Sequence, residues 1–476
     1  MLNMLKYRTM AVISLFSVAA CTVPKVAQRA ENRNVPLAYS QNADTTNMTA
    51  IPWRQFFSDP FLVSLIDTAL RNNQELMSTL QEIEIARNEL RARKGNILPT
   101  VGLKAGAGVE KVGRYTSQGA GDASTEMEPG KPVPDALGDF TLALNASWEA
   151  DIWKKLRTAK KAAVSRYLAT VEGKNFLLTS LIAEVANSYY ELLSLDNQLE
   201  IVRQNIALQE NALEIVKVQK EAAKATELAV QKFAAEVLKS QSLEFDIQQQ
   251  IRETENRINL LVARFPREIS REHNSFLNLE APSVHAGTPM QLLSNRPDIH
   301  KAELELEAAK LDVAVARKEF YPALGMTAGA GFSAFRPDYL VKLPESLLYS
   351  LAGELVGPLI NRNKLKAEYY SANARQRQAV FNYERVILNA YLEVSTQLSK
   401  IDNLQKSYDL KSKQVAALTR SIDISNDLFK SARADYLEVL MTQRDALEAR
   451  LELIETKRES LNAVVNIYRD LGGGWK

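Results

Sequence analysis

The sequence predicts a mainly α-helical chain that carries a membrane β-barrel, built as two copies of one helix, strand-pair and helical-hairpin unit. Three observations predict it. Residues 70–108 recur 223 positions later as 293–331, with Leu70/Leu293, Asn72/Asn295, Glu82/Glu305, Glu84/Glu307, Ala86/Ala309, Pro99/Pro322 and Gly102/Gly325 matching without a gap. Four segments of roughly 11 residues alternate apolar with small or polar side chains, the length of a tilted strand that spans a bilayer. Each strand pair is followed by a very long stretch almost free of Gly and Pro; from Trp153 to Gln219 the only such residue is Gly173. At ~1.5 Å per residue a helix of that length would extend about 100 Å, too long for a compact domain.

The totals exclude several classes. At 476 residues one simple globule is not expected. Lys and Arg number 59 against 57 Asp and Glu, a net charge of +2, and no basic block with interleaved aromatics points to nucleic acid. No internal stretch reaches the ~18 consecutive apolar residues of a membrane helix, so a membrane role must use strands.

At the N-terminus, Lys6 and Arg8 precede the apolar residues 10–20, and Val18-Ala19-Ala20-Cys21 forms a small-residue cleavage site. Residues 1–20 read as a signal peptide. Cys21 is the sole cysteine, which excludes an intrachain disulfide and leaves either an incidental thiol or a lipidation site. The segment resembles a bacterial lipobox, which implies lipid on Cys21. Thr22 lacks the aspartate that the resemblance links to inner-membrane retention, so outer-membrane sorting is expected.

Residues 21–50 are polar, contain Pro24 and Pro36 and show no periodicity, as expected of an extended or loosely packed tether. The first structural repeat occupies residues 51–265. Asp59-Pro60 opens a short helix over 61–70, since Pro suits the first helical position. A second helix runs over 72–97 and stops at Pro99. Strands at 100–110 and 139–149 flank a Gly-, Ser- and Pro-rich loop of external type. In the long helix that follows, Val185, Leu192, Leu199, Ile206 and Leu213 keep a spacing of seven, which implies left-handed supercoiling against neighbours. A tip near 223–228 turns the chain back, with Thr226 as N-cap of a helix ending near 265. Residues 266–289 form an irregular connector. The second repeat, 290–476, has strands at 323–334 and 347–357 and a tip near 432–437, where Asp435 is the expected N-cap.

Catalytic chemistry has no footing in the pattern. His273, His285 and His300 lack metal-ligand spacing, and no phosphate loop, dinucleotide fingerprint or nucleophile elbow occurs. Four strands with one apolar face leave two open edges that lipid cannot satisfy. Closure therefore needs several copies of the chain, with Lys104, Glu110, Asn145, Ser147, Glu149 and Glu354 on a face polar or small enough for a watery lumen.

Trp53-Arg54 with Phe56-Phe57 and Asp59-Pro60, residues 148–153 (Trp-Glu-Ala-Asp-Ile-Trp), Asn295-Arg296-Pro297-Asp298-Ile299, Tyr321-Pro322, residues 435–440 (Asp-Tyr-Leu-Glu-Val-Leu) and the closing Leu471-Gly472-Gly473-Gly474-Trp475 together carry a resemblance. The chain resembles the outer-membrane factors of tripartite efflux pumps, of the TolC and OprM type and their lipoprotein branch. The resemblance implies a homotrimer with a 12-stranded barrel over a helical tunnel, engaged by a periplasmic adaptor (membrane fusion) protein and a proton-driven inner-membrane pump. Neither a cofactor nor enzyme activity is implied. The expected role is a passive exit duct for drugs or other small toxic compounds. Two alternatives stand beside it: a duct for type I polypeptide secretion, and a periplasmic coiled-coil lipoprotein without a pore.

The resemblance also implies a periplasmic gate at the hairpin tips. Leu437 matches an apolar ring position, whereas Met441 stands where relatives often carry an aspartate and Ala229 where some carry an acidic residue. A greasy closed end of Leu437 and Met441 is expected, with Arg433 and Asp435 available for polar locks; the other reading makes Leu437 and Met441 ordinary hairpin core at i,i+4 spacing. Ala223, Lys224, Thr226 and Ala432 are the expected adaptor contacts, and Ala223 and Ala432 replace the tip glycines usual in the family.

Overall fold

The strand register turns four separate alternating segments into one two-faced sheet. The structure, a computed structural model, describes residues 23–27, 29–39, 46–272, 276–280, 282–431 and 433–475. Cys21 and Ala432 lie outside the described residues. Strands β1 (Thr100–Glu110), β2 (Leu137–Ala150), β3 (Ala323–Ala334) and β4 (Leu347–Val356) form an antiparallel sheet in chain order. Leu103 pairs with Leu144, Leu144 with Ala330, and Ala330 with Tyr349. Because directly paired residues share a face, Val101, Leu103 and Val109 join Phe140, Leu142, Trp148, Met326, Phe332, Leu347, Leu351 and Leu355 on one side. The other side carries Lys104, Glu110, Asn145, Ser147, Glu149 and Glu354 among glycines, serines and threonines, as the alternation requires.

The sheet belongs to a unit made of Ile85–Tyr167 and Leu304–Val380 with residues 23–27, 29 and 30. The loop between β1 and β2 is more ordered than its composition implies: it holds a helix, Ser117–Asp122, capped by Thr116, and a small ribbon of Glu126–Glu128 against Lys131–Pro132. Where β2 leads into the long helix α3 (Lys155–Glu221), Asp151 accepts hydrogen bonds from the amides of Leu156 and Arg157 at 3.0 and 2.9 Å. Trp153 donates to the Pro322 carbonyl at 2.7 Å, and Lys155 pairs with Glu149 at 2.7 Å. These bonds fix the strand-to-helix corner.

A second unit comprises Glu31–Glu84, Leu168–Glu303 and Phe381–Lys476. Here α1 (Pro60–Asn72) starts as expected, with Asp59 accepting from the Phe61 amide. The helix expected over 72–97 is α2, Gln74–Gly95, broken from α1 at Asn73, whose side chain accepts from the Leu76 amide. Its counterpart α5 is Pro297–Lys318, an offset of 223 at both ends. Helix α3 is 67 residues long and α6 (Asn363–Lys430) is 68; the returning α4 (Glu227–Leu261) and α7 (Tyr436–Asp470) are 35 each. Both returning helices stop a few residues before or at the expected ends. Among the described residues no helix is long and apolar enough to cross a membrane.

The N-terminal segment is extended but packed rather than loose. Val23 and Val26 lie against Val313, Phe320, Tyr369 and Ala372. Further along, Arg33 pairs with Glu303 at 2.9 Å and Tyr39 stacks on Tyr391 with centroids 5.5 Å apart. Isolated apolar and aromatic contacts along a helix leave no periodicity for the sequence to display.

Three quoted motifs converge in the second unit. The Arg296 guanidinium is 5% exposed; it donates to the Asp470 carbonyl at 2.7 Å and pairs with Asp298 at 2.7 Å and Glu393 at 2.8 Å. Burial opposes its charge, but these carboxylates hold its pKa above the ordinary value. Tyr468 stacks on Phe56 at 4.1 Å and donates to the Ile51 carbonyl at 2.6 Å; burial pushes its hydroxyl up to about 12, keeping it a neutral donor. Gly472 has φ +91°, and a Cβ there would meet the Asn295 carbonyl oxygen at 2.5 Å. Gly472→Ala should therefore lower stability by about 2 kcal/mol or more, seen as a lower thermal midpoint of the detergent-solubilised protein.

Candidate functional site

Two parts of the chain are candidates for function, and each is described by itself. The first is the sheet. Its apolar face is open: Leu103 is 71% exposed, Leu351 76% and Val109 76%. Contiguous exposed apolar area of this kind marks a lipid or protein contact. Among the described residues, strands β1 and β4 each pair on one side only, leaving two free edges. Trp148 donates to the Ile97 carbonyl at 2.9 Å, and Trp153 lies 5.3 Å from the Tyr321 ring, so aromatic residues gather at one end of the strands.

The second part is the pair of helical tips. Helix α3 ends in a Schellman arrangement: the Ala223 amide donates to the Lys220 carbonyl at 2.9 Å and the Lys224 amide to the Gln219 carbonyl at 2.8 Å. That geometry needs a left-handed residue, and Ala223 supplies it with φ +55°. Thr226 then caps α4, its hydroxyl accepting from the Ala229 amide at 3.2 Å. Lys220 and Glu227 pair across the turn, and that hydrogen bond, with a second from Gln231, holds the Glu227 carboxyl below its ordinary range. At the second tip the Arg433 amide donates to the Leu428 carbonyl at 2.9 Å, the same six-residue closure. Asp435 occupies the N-cap of α7 with extended backbone, but its side chain makes no capping bond; at an exposed helix start water satisfies the free amides instead.

An apolar cluster joins the two tips. Val216, Ala229, Val230 and Phe233 are buried together, with Phe429, Tyr436 and Leu440 packed against them. Ala229 is thus inside the tip core. Leu437 and Met441 are 38% and 45% exposed, while Val439 between them is 1% exposed. The reading of Leu437 and Met441 as hairpin core is therefore not what the structure holds: Val439 and Leu440 take that role, and Leu437 and Met441 share a face turned outward. Arg433 and Asp435 are also exposed, and among the described residues neither has an ion-pair partner within the chain. No group of His, Cys, Asp or Glu among the described residues could hold a metal ion. His300 instead contacts the Leu293 carbonyl at 3.0 Å.

A family profile described as "Outer membrane efflux protein" matches residues 65–264 and 288–473. The chain belongs to the outer membrane efflux protein family. As a member it is the outer-membrane channel component of an efflux system. The efflux protein is 29% identical over 424 residues to the pyoverdine export outer membrane protein OpmQ of Pseudomonas aeruginosa, covering 89% of this chain and 87% of the other. It is 27% identical over 482 residues to the toluene efflux pump outer membrane protein TtgI of Pseudomonas putida, covering 99% of both. Its fold is that of the Neisseria gonorrhoeae MtrE outer membrane channel, with a TM-score of 0.82 at 22% identity over 96% of this chain and 98% of that one.

Sequence reasoning used Arg296 and Gly472 only as a fingerprint and Asp59 as a helix start, and missed what else they hold. Asp59 caps α1 with one carboxylate oxygen and accepts from the Tyr189 hydroxyl with the other at 2.7 Å. An aspartate before proline announces the cap, but nothing near it announces a tyrosine 130 residues away.

Replacing Ala223 by Gly should relieve the left-handed strain of roughly 1 kcal/mol. Slower amide exchange of Lys224, by about fivefold, is the expected reading; unchanged exchange would show that the turn carries no such strain.

Proposed function

We propose that three copies of the efflux protein join their sheets edge to edge into a 12-stranded barrel and act as a passive exit duct. The observation that carries this reading is the sheet: one continuous apolar face and two unpaired edges. In lipid each unpaired amide or carbonyl costs several kcal/mol, so the edges must meet other strands. The opposite face, rich in Gly, Ser and Thr with Lys104, Glu110, Glu149 and Glu354, then lines a watery passage. The duplication of residues 51–265 in 290–476 makes each subunit contribute two similar strand pairs and two similar hairpins.

Cys21 carries the lipid anchor in this reading. Leu437 and Met441 close the periplasmic end as an apolar ring, with Arg433 and Asp435 pairing between subunits. The tips at Ala223, Lys224, Thr226 and Ala432 receive a periplasmic adaptor, and a proton-driven inner-membrane pump supplies the energy. The relatives named above export pyoverdine and toluene, molecules with little chemistry in common. A lumen of small neutral groups with a few charges, mostly carboxylates, has no built pocket for either, so the pump selects the cargo, here drugs or other small toxic compounds.

The purified full-length protein should run at trimer mass in detergent and give rare single-channel steps in a planar bilayer. Monomer mass without current would sink the duct. Leu437→Ala and Met441→Ala should raise the fraction of time spent open several-fold; unchanged closure removes the gate from these residues. Cys21→Ser should remove the lipid mass from the mature protein.

A further inference from the structure

The helical seam behind the tips buries two glutamines where its pattern calls for apolar residues. On α3 one row with a spacing of seven is buried throughout: Ser188, Leu195, Val202, Gln209 and Val216. Leu195 and Val202 belong to an apolar cluster with Ile206, Ile247, Leu447 and Leu451, whereas Val216 belongs to the tip cluster with Phe233, Tyr436 and Leu440. Gln209 stands between the two clusters, 1% exposed, and among the described residues neither its Nε2 nor its Oε1 has a hydrogen-bond partner. On α7 the same break recurs. Gln443 falls between Leu440 of the tip cluster and Leu447 of the other, is 2% exposed, and its Oε1 has no partner. Under the 209-residue offset the counterpart of Gln209 is Leu418 and that of Gln443 is Ala234. The glutamines are thus a feature of one copy of each helix and not of the repeated pattern.

A buried amide without a partner destabilises the arrangement that buries it, and a polar residue in a heptad core weakens the seam locally while fixing its register. We infer that Gln209 and Gln443 are positioning residues that form a polar break in the seam, at which the tip cluster parts from the rest of the helical bundle when the channel opens. This rests on the duct reading above. The cluster of Val216, Phe233 and Leu440 moves as one piece because it is continuous, and separation occurs where apolar contact is interrupted. Opening gives both amides access to water or to each other, so they favour the open arrangement over the one described.

The test is single-channel current of the full-length protein in planar bilayers for wild type, Gln209→Leu, Gln443→Leu and the double variant, with thermal midpoints in the same detergent. Both single variants should raise the midpoint, and the double should lower opening frequency at least tenfold while leaving open-state conductance unchanged. Gln209→Glu should do the reverse, raising opening frequency. A higher midpoint with unchanged opening frequency would mark the pair as structural only and overturn the inference, as would a lower midpoint in both leucine variants. Absence of any wild-type steps would bring down the duct reading itself and the break with it.

Discussion

The main-chain groups along β1 and β4 set the terms for everything else in the efflux protein. A sheet with one face made throughout of apolar and small residues is at home in lipid, yet lipid offers no partner for an unpaired amide or carbonyl. A soluble sheet would cover that face with helices; here Leu103, Leu351 and Val109 stay open and the long helices leave from the strand ends instead. The corner at Asp151, Trp153 and Lys155, where β2 gives way to α3, is held by several bonds at once.

The signature residues of the family turn out to be structural joints. Arg296 ties the start of α5 to the end of α7 and to Glu393 on α6, and the glycines at 472 and 473 let the chain pass within contact of Asn295 and the Tyr468 ring. A cation this buried depends on its partners, since removing Asp298 or Glu393 would leave its charge poorly compensated in the interior. Residues that allow so close an approach tolerate little change in size.

Much of this was legible. The alternation in 100–110 and 323–334 depends only on the two-residue period of a strand, and both segments are strands with those bounds. The proline and cap at Asp59-Pro60 and the cap at Thr226 are local chemistry, and both stand. What escaped was non-local. Asp435 carries the right residue type for a cap but shows its side chain to water. Leu437 and Met441 have core spacing, yet the face they occupy was decided by Tyr436 and Leu440 meeting Phe233 and Val216 on another hairpin. Gln209 hides in plain view, since a heptad row is recognised by its apolar members and an amide within it looks like an interruption.

The N-terminal segment has a consequence for the order of events in folding. The Asn32 amide bonds to Glu384, 352 residues downstream, and Tyr39 stacks on Tyr391. The part of the chain synthesised first therefore waits for partners that emerge near the end, and contacts so distant in sequence form late. Its run of polar side chains, Asn32, Arg33 and Asn34 among them, keeps it solvated while it waits. Docking of the segment then reports that the first part of α6 is in place.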